Sequence, residues 1–276
     1  MYMTTKSKSL LVGILMVAFL ASSQTAAAAM MVSGSTTVLP LGVQCAEAFQ
    51  KETGIDVSVS GGGSGVGIKN VAEGLSDVAM ASRQVKDSEI EAYGDDFERF
   101  VVAYDAICVA VSQEIYDGGV TGLSQDEVMQ IYNGEITNWE DVDGPDEEIF
   151  VLARQVGSGT RDTFNDMVMG DEGAETEGVN VYVGSNAEMK TAIANSDKAI
   201  GYLGFSYAQE GDLQSLAYEG VEPSSETVKD STYPLARELY MYTWGDPSED
   251  AQEFLDFVMG NDGQAIAEEL GFVSVL

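Results

Sequence analysis

The residue types best suited to chemistry are concentrated in one stretch, Arg154-Gln155-Val156-Gly157-Ser158-Gly159-Thr160-Arg161-Asp162. Its glycines allow a tight turn, and its small Ser and Thr side chains leave room for something to approach. Its two arginines suit paired hydrogen bonds to an oxyanion. The apolar run Ile149 to Ala153 before it predicts a buried strand, and Phe164, Met167 and Val168 follow at helical spacing. The stretch is therefore a strand-to-helix turn. The first turn of a helix offers unpaired N–H groups and the positive end of its dipole, which together bind anions. Taken alone, the same residues read equally well as a serine N-cap with a surface arginine nearby.

Two further segments share this character, Ser35-Thr36-Thr37 and Gly63-Ser64-Gly65. Each ends a strand, begins a helix and offers hydroxyls with little bulk, and Ser82-Arg83 closes another short strand. The chain has five arginines, and three of them (Arg83, Arg154 and Arg161) fall in these segments, which argues against chance capping. Ser35, Thr36, Thr37, Ser64, Ser82, Arg83, Arg154, Ser158, Gly159 and Thr160 are thus expected to converge as donors around an anion.

Other chemistries fit poorly. Gly62 to Gly67 matches half of a nucleotide loop, but Ile68 stands where lysine is required. No glycine in that run starts a dinucleotide fingerprint. The chain has no histidine, so His-based triads and the usual zinc sites are excluded. Val156 stands where a nucleophile elbow needs glycine, and Glu147-Glu148 lies in an acid-rich, solvated loop. We expect a binding protein with no catalytic residues, no cofactor and no metal.

At 276 residues, 45% of them hydrophobic and 9% aromatic, the chain can bury a proper core. Its start is a separate object: Lys6 and Lys8, a short apolar run from Leu10 to Ala21, then Ala26 to Ala29. That pattern predicts an export signal over residues 1–29 and an extracytoplasmic location, with an uncleaved anchor as the other reading. With Lys6 and Lys8 set aside, 13 basic residues become 11 against 46 acidic ones, a net charge of −35. Such a charge excludes nucleic acid and anionic membranes as partners. It also suggests a protein that works in strong salt, where the Debye length falls to roughly 3 Å at 1 M. Cys45 and Cys108 could pair in an oxidising compartment, but each lies in an apolar run and reads more simply as a buried thiol.

The elements that must position these residues follow an α/β order. Met30 to Val32, Ile55 to Ser60 and Asp77 to Ala81 read as strands, with helices from about Pro40 to Lys51 and from Ile68 to Leu75 between them. A βαβαβ unit with small-residue turns predicts a mainly parallel, doubly wound sheet, with ligands bound beyond the carboxyl ends of the strands. Phe100 to Val111 is a long apolar strand interrupted by Asp105 that carries the chain out of this first unit. A second α/β series follows, with a capping box at Ser124 and Glu127, strands at 179–183 and 199–204, and a helix capped by Ser185. A β extension over 212–222, a strand from Glu238 to Trp244 and two closing amphipathic helices complete it.

Several segments carry a specific resemblance: Ser33 to Thr37 with Pro40, Gly61 to Gly65, Met80 to Arg83, Ile131 to Trp139, Arg154 with Gly157 to Arg161, and Ile200 to Gly204. In this order, over essentially the whole chain after residue 29, the sequence resembles the phosphate-binding proteins of ABC-type phosphate importers. The resemblance implies an α/β fold of two doubly wound lobes joined by two crossovers, type II periplasmic-binding-protein-like. We assign residues 30–106 and 235–276 to lobe I and 107–234 to lobe II. The resemblance further implies inorganic phosphate as ligand, permease subunits of an ABC importer as partners, and a monomer. It carries ligand contacts to Thr36, Thr37, Ser64, Arg154, Ser158, Gly159 and Thr160. The same scaffold could hold sulfate, molybdate or tungstate, and an exported surface protein is the reading from another class. Arg83 stands where the best-known members have a proton-accepting aspartate, and Val156 replaces an acid often found there. Arg83 either faces the ligand, which we slightly favour, or pairs with a nearby acid.

Overall fold

The computed structural model describes residues 29–209, 211 and 213–276. Strand β1 (Met30–Gly34) leads through Ser35 to Thr37 into helix α1 (Leu39–Thr53), which Pro40 starts and a left-handed Gly54 ends. Strand β2 (Val57–Gly61) feeds α2 (Ser64–Ala72), and β3 (Val78–Ala81) feeds α3 (Asp87–Tyr93). The long strand β4 (Phe97–Ser112) is followed by α4 (Gln113–Asp117), β5 (Gly122–Leu123) and α5 (Gln125–Asn133). Strand β6 (Phe150–Arg154) enters α6 (Gly159–Phe164), β7 (Val181–Val183) enters α7 (Asn186–Ala194), and β8 (Ala199–Gly204) enters α8 (Phe205–Ala208). The remainder is β9 (Leu213–Ser215), β10 (Ala217–Tyr218), α9 (Ser225–Lys229), β11 (Ala236–Trp244), α10 (Glu249–Met259) and α11 (Asn261–Glu269).

The strand order is β2-β1-β3-β11-β4-β8-β6-β7. Within it β1 is parallel to β2 and β3, and β6 is parallel to β7 and β8. The same three-stranded parallel unit thus occurs twice, and each is finished by an antiparallel strand, β11 on one side and β4 on the other. Strand β4 serves both halves: Phe97 to Ala106 pair with β11, and Ile107 to Val111 pair with β8. The chain therefore crosses once along β4 and returns at Leu235, whose carbonyl accepts from the Ile107 N–H.

Two apolar clusters fill each half, one on either face of its sheet. Val32, Leu41, Phe49, Met80, Leu239 and Phe254 lie on one face of the first half, and Ile68, Val71, Ala79, Tyr240 and Tyr242 on the other. In the second half Val109, Ile131, Trp139, Phe164 and Tyr202 form the larger cluster, and Leu152, Met189, Ile193 and Leu203 the smaller. Each half is a doubly wound α/β lobe.

Some elements differ from the sequence reading. Strand β4 starts at Phe97, because Glu98 and Arg99 continue the ladder with β11 although both are exposed. Helix α3 gave no periodic signal because none of its residues is buried; Glu89 reaches back to the Lys86 N–H and starts it. The export signal lies outside the described residues apart from Ala29. Cys45 and Cys108 are both buried and unpaired, and burial pushes the Cys45 thiol up to about 12. Among the described residues, no helix is long and apolar enough to cross a membrane.

Candidate functional site

The turns after β1, β2 and β3 face those after β6 and β7 across the seam between the lobes, at the carboxyl ends of parallel strands. Contact across the seam is close. Gly65 N–H donates to the Gly157 carbonyl at 3.1 Å, and Thr37 Oγ1 lies 3.0 Å from Thr160 Oγ1. Close approach sets the residue types. A Cβ on Gly159 would overlap the Ser64 and Ser82 hydroxyls, and Gly63 (φ 97°) would place a Cβ against the Gly157 carbonyl.

Fixed donors set the direction of the seam's hydrogen bonds. Arg154 Nη2 donates to Thr36 Oγ1 at 3.1 Å, Asn186 Nδ2 to Thr37 Oγ1 at 2.9 Å, and Arg237 Nη1 to Thr160 Oγ1 at 3.2 Å. Ser64 Oγ accepts from the Ser82 N–H at 3.0 Å, and Ser158 Oγ from the Arg161 N–H at 3.3 Å. The Asn186 orientation follows from its Oδ1, which accepts from the Gly204 N–H at 3.1 Å. Each of these hydroxyl oxygens accepts from a group that can only donate, which leaves its own O–H to donate, and one O–H of the Thr37–Thr160 pair is spent on the other. The cluster is a donor surface.

Arg154 is its charged centre. It ends β6 with 1% of its surface exposed, and its backbone N–H donates to Tyr202 Oη at 3.1 Å. The Tyr202 ring stacks on Phe164 at 3.9 Å, so α6 and β8 together hold the end of this strand. The guanidinium donates through Nη2 to Thr36 and to the Gly184 carbonyl, while Nε and Nη1 are buried with no partner among the described residues. Burial above all, with the nearby positive charge of Arg237, pushes this guanidinium down to about 10. Arg237 differs, because the wholly buried Asp105 beside it in the ladder takes its Nη2 at 2.8 Å and its Nε at 3.2 Å. A buried, unmatched cation among convergent donors fits an oxyanion of at least one negative charge.

Known proteins bear on this geometry. A family model described as a PBP superfamily domain matches residues 21–262. The phosphate-binding protein PstS of Bacillus subtilis is 34% identical over 91% of this chain and 82% of its own length. PstS of Borreliella burgdorferi is 31% identical over 88% and 89%. The chain belongs to the PstS family. A Clostridium perfringens structure described as a phosphate ABC transporter substrate-binding protein with bound phosphate superposes with a TM-score of 0.83, at 31% identity, over 90% of this chain and all of that one. An ABC-type phosphate transport receptor from Vibrio cholerae gives 0.72 at 28% identity, covering 88% and 99%. The fold is thus the type II periplasmic-binding-protein fold of PstS structures.

Within this PstS scaffold the structure brings most of the expected residues to one place. Thr36, Thr37, Ser64, Ser82, Arg154, Gly159 and Thr160 meet at the seam. Ser35 and Ser158 are buried beside them, with their hydroxyls capping the Thr37 and Arg161 N–H groups. Arg83 corrects our preference. Its Nε donates to Asp162 at 2.7 Å, and Nη1 and Nη2 donate to Glu89 at 2.8 Å each, so it is matched to acids in this structure. Arg161 points elsewhere, to the Arg154 carbonyl and over the Tyr182 ring. Val156 stands out in solvent, 86% exposed.

Sequence reading missed Asn186, Arg237, Asp105 and Tyr207, whose Oη donates to the Thr36 carbonyl at 2.9 Å. A signal existed for Asn186. Gly184-Ser185-Asn186 ends β7 and opens α7 as Gly62-Gly63-Ser64 ends β2 and opens α2. For Asp105 the signal was a charge inside an apolar run, whereas Arg237, beside Glu238 at the head of β11, gave none.

Proposed function

We propose that this chain captures inorganic phosphate between its lobes, outside the cytoplasmic membrane, and hands it as a monomer to the permease subunits of an ABC importer. In this reading lobe I is residues 30–106 with 235–276, lobe II is 107–234, and residues 1–29 direct export. The ligand contacts are Thr36, Thr37, Ser64, Arg154, Gly159 and Thr160, with Ser35, Ser82 and Ser158 supporting the turns and Asn186 and Arg237 orienting the hydroxyls.

The observation that carries the reading is Arg154, buried to 1% exposure beside the Thr36 hydroxyl, with two nitrogens unpartnered among the described residues. Leaving a charge buried and unmatched costs several kcal/mol, which an anionic ligand in the cleft would offset. Charge-assisted hydrogen bonds contribute roughly 1.5–3 kcal/mol each. Micromolar affinity needs only about 8 kcal/mol after all costs. The PstS relatives and the phosphate-bound Clostridium structure support phosphate as the anion. Equilibrium dialysis of the purified protein against labelled phosphate in molar salt tests the assignment. One site per chain, filled at micromolar phosphate and emptied by arsenate, is expected; no retention of label refutes it.

A further inference from the structure

Arg83 follows Ser82 at the end of β3, and Lys86 precedes α3, both in lobe I. Asp162 lies in α6 of lobe II, two residues beyond Thr160, and Glu172 lies in the loop that follows. Arg83 Nε meets Asp162 Oδ2 at 2.7 Å, and Lys86 Nζ lies 3.0 Å from the same oxygen and 3.0 Å from Glu172 Oε1. Glu89 grips the other edge of Arg83, so the guanidinium is fixed in its own lobe and offered to the opposite one. Thr163 Oγ1 adds a 3.3 Å hydrogen bond to the Ser82 carbonyl. A cavity of about 630 Å³, lined by Ser82, Arg83, Lys86, Asp162, Glu172 and Arg237 among others, opens along this line.

We propose that Arg83, Lys86, Asp162 and Glu172 form a latch between the lobes that sets how long the ligand stays bound without touching it. The chain carries 46 acidic residues against 13 basic ones, so its two lobes repel each other as they close. Two of the scarce cations are placed where they bridge the seam. The Arg83 and Asp162 side chains are 7% and 8% exposed, so salt screens their attraction little, whereas Glu172, at 40%, lies within reach of screening. Separation of the lobes strips Arg83 and Lys86 from Asp162, so unlatching precedes ligand exit. Affinity set in this way leaves the choice among anions to the donor cluster.

The experiment rests on the phosphate reading for one of its two readouts. Stopped-flow release of phosphate in molar salt is measured for the wild type, Asp162→Asn and Glu172→Gln. Release about tenfold faster or more is expected for Asp162→Asn, and about two- to threefold faster for Glu172→Gln. The ratio of phosphate to sulfate affinity should stay at its wild-type value. Unchanged release in both variants overturns the latch, and so does a changed ratio, which would put Arg83 on the ligand. If Asp162→Asn does not fold, Glu172→Gln and Lys86→Gln decide, and the two must accelerate release alike. Small-angle X-ray scattering of the ligand-free proteins is the second readout and needs no phosphate. The latch predicts a larger radius of gyration in whichever of these variants folds than in the wild type, and equal radii refute it. A wild type that binds no phosphate would instead refute the proposed function.

Discussion

Arg154 and Arg83 are two buried arginines at one seam, yet their surroundings are opposite. The Arg154 guanidinium meets the Thr36 hydroxyl and the Gly184 carbonyl and, among the described residues, no carboxylate, and burial pushes it down to about 10. Burial also lowers Arg83, but Glu89 and Asp162 outweigh that and raise it above the ordinary arginine value. A buried cation with its counter-charges in place joins parts of the protein; one without them is poised for a counter-charge from outside. Arginine content and position in the sequence did not separate the two, whereas the distribution of carboxylates around them does.

The largest expected effect breaks the unmatched member. Arg154→Ala should weaken phosphate binding by more than a hundredfold, about 3 kcal/mol or more by calorimetric titration, with the circular-dichroism spectrum unchanged. Gly159→Ala comes next, since its Cβ would overlap Ser64 and Ser82 across the seam. Overpacking of this kind costs about 1–3 kcal/mol, read as roughly ten- to a hundredfold weaker binding. Asn186→Ala removes the fixed donor to Thr37 and should cost about 1 kcal/mol, several-fold in affinity by the same titration. Ser158→Ala should act mainly on stability, by about 1 kcal/mol in denaturant unfolding, because its hydroxyl caps the Arg161 N–H.

Salt sharpens the contrast between local and global charge. The whole chain, at −33, repels phosphate over long range, while the Arg154 cluster attracts it at contact. Raised ionic strength screens the first more than the second. Phosphate association should therefore accelerate from low to molar salt in stopped-flow experiments, for as long as the protein stays folded at the low end.

Much of this was legible from the sequence because it is local. Strands β1, β2 and β6 run into small-residue turns, and that pattern alone located the hydroxyls and Arg154. The partners of Arg83 were not legible, since Asp162 lies 79 residues away and meets it only when the lobes are together. Asp105 stood out as a charge in an apolar run and Arg237 did not, and their pairing needed the antiparallel register of β4 with β11. Asn186 was hidden because its role depends on α7 opening beside Thr36 and Thr37, 149 residues earlier for the nearer contact. Helix α3 had no apolar face to betray it.

The central claim is that the Arg154 charge stays unmatched until an anion fills the cleft. Thermal unfolding of the wild type and Arg154→Met, each with and without millimolar phosphate in molar salt, tests it most directly. The account predicts that phosphate raises the wild-type melting temperature by several degrees, about what 100-fold saturation confers. It also predicts that Arg154→Met melts no lower than the ligand-free wild type, having shed a buried unpaired charge, and does not respond to phosphate. A variant that melts well below the wild type yet still gains the full phosphate shift would contradict it.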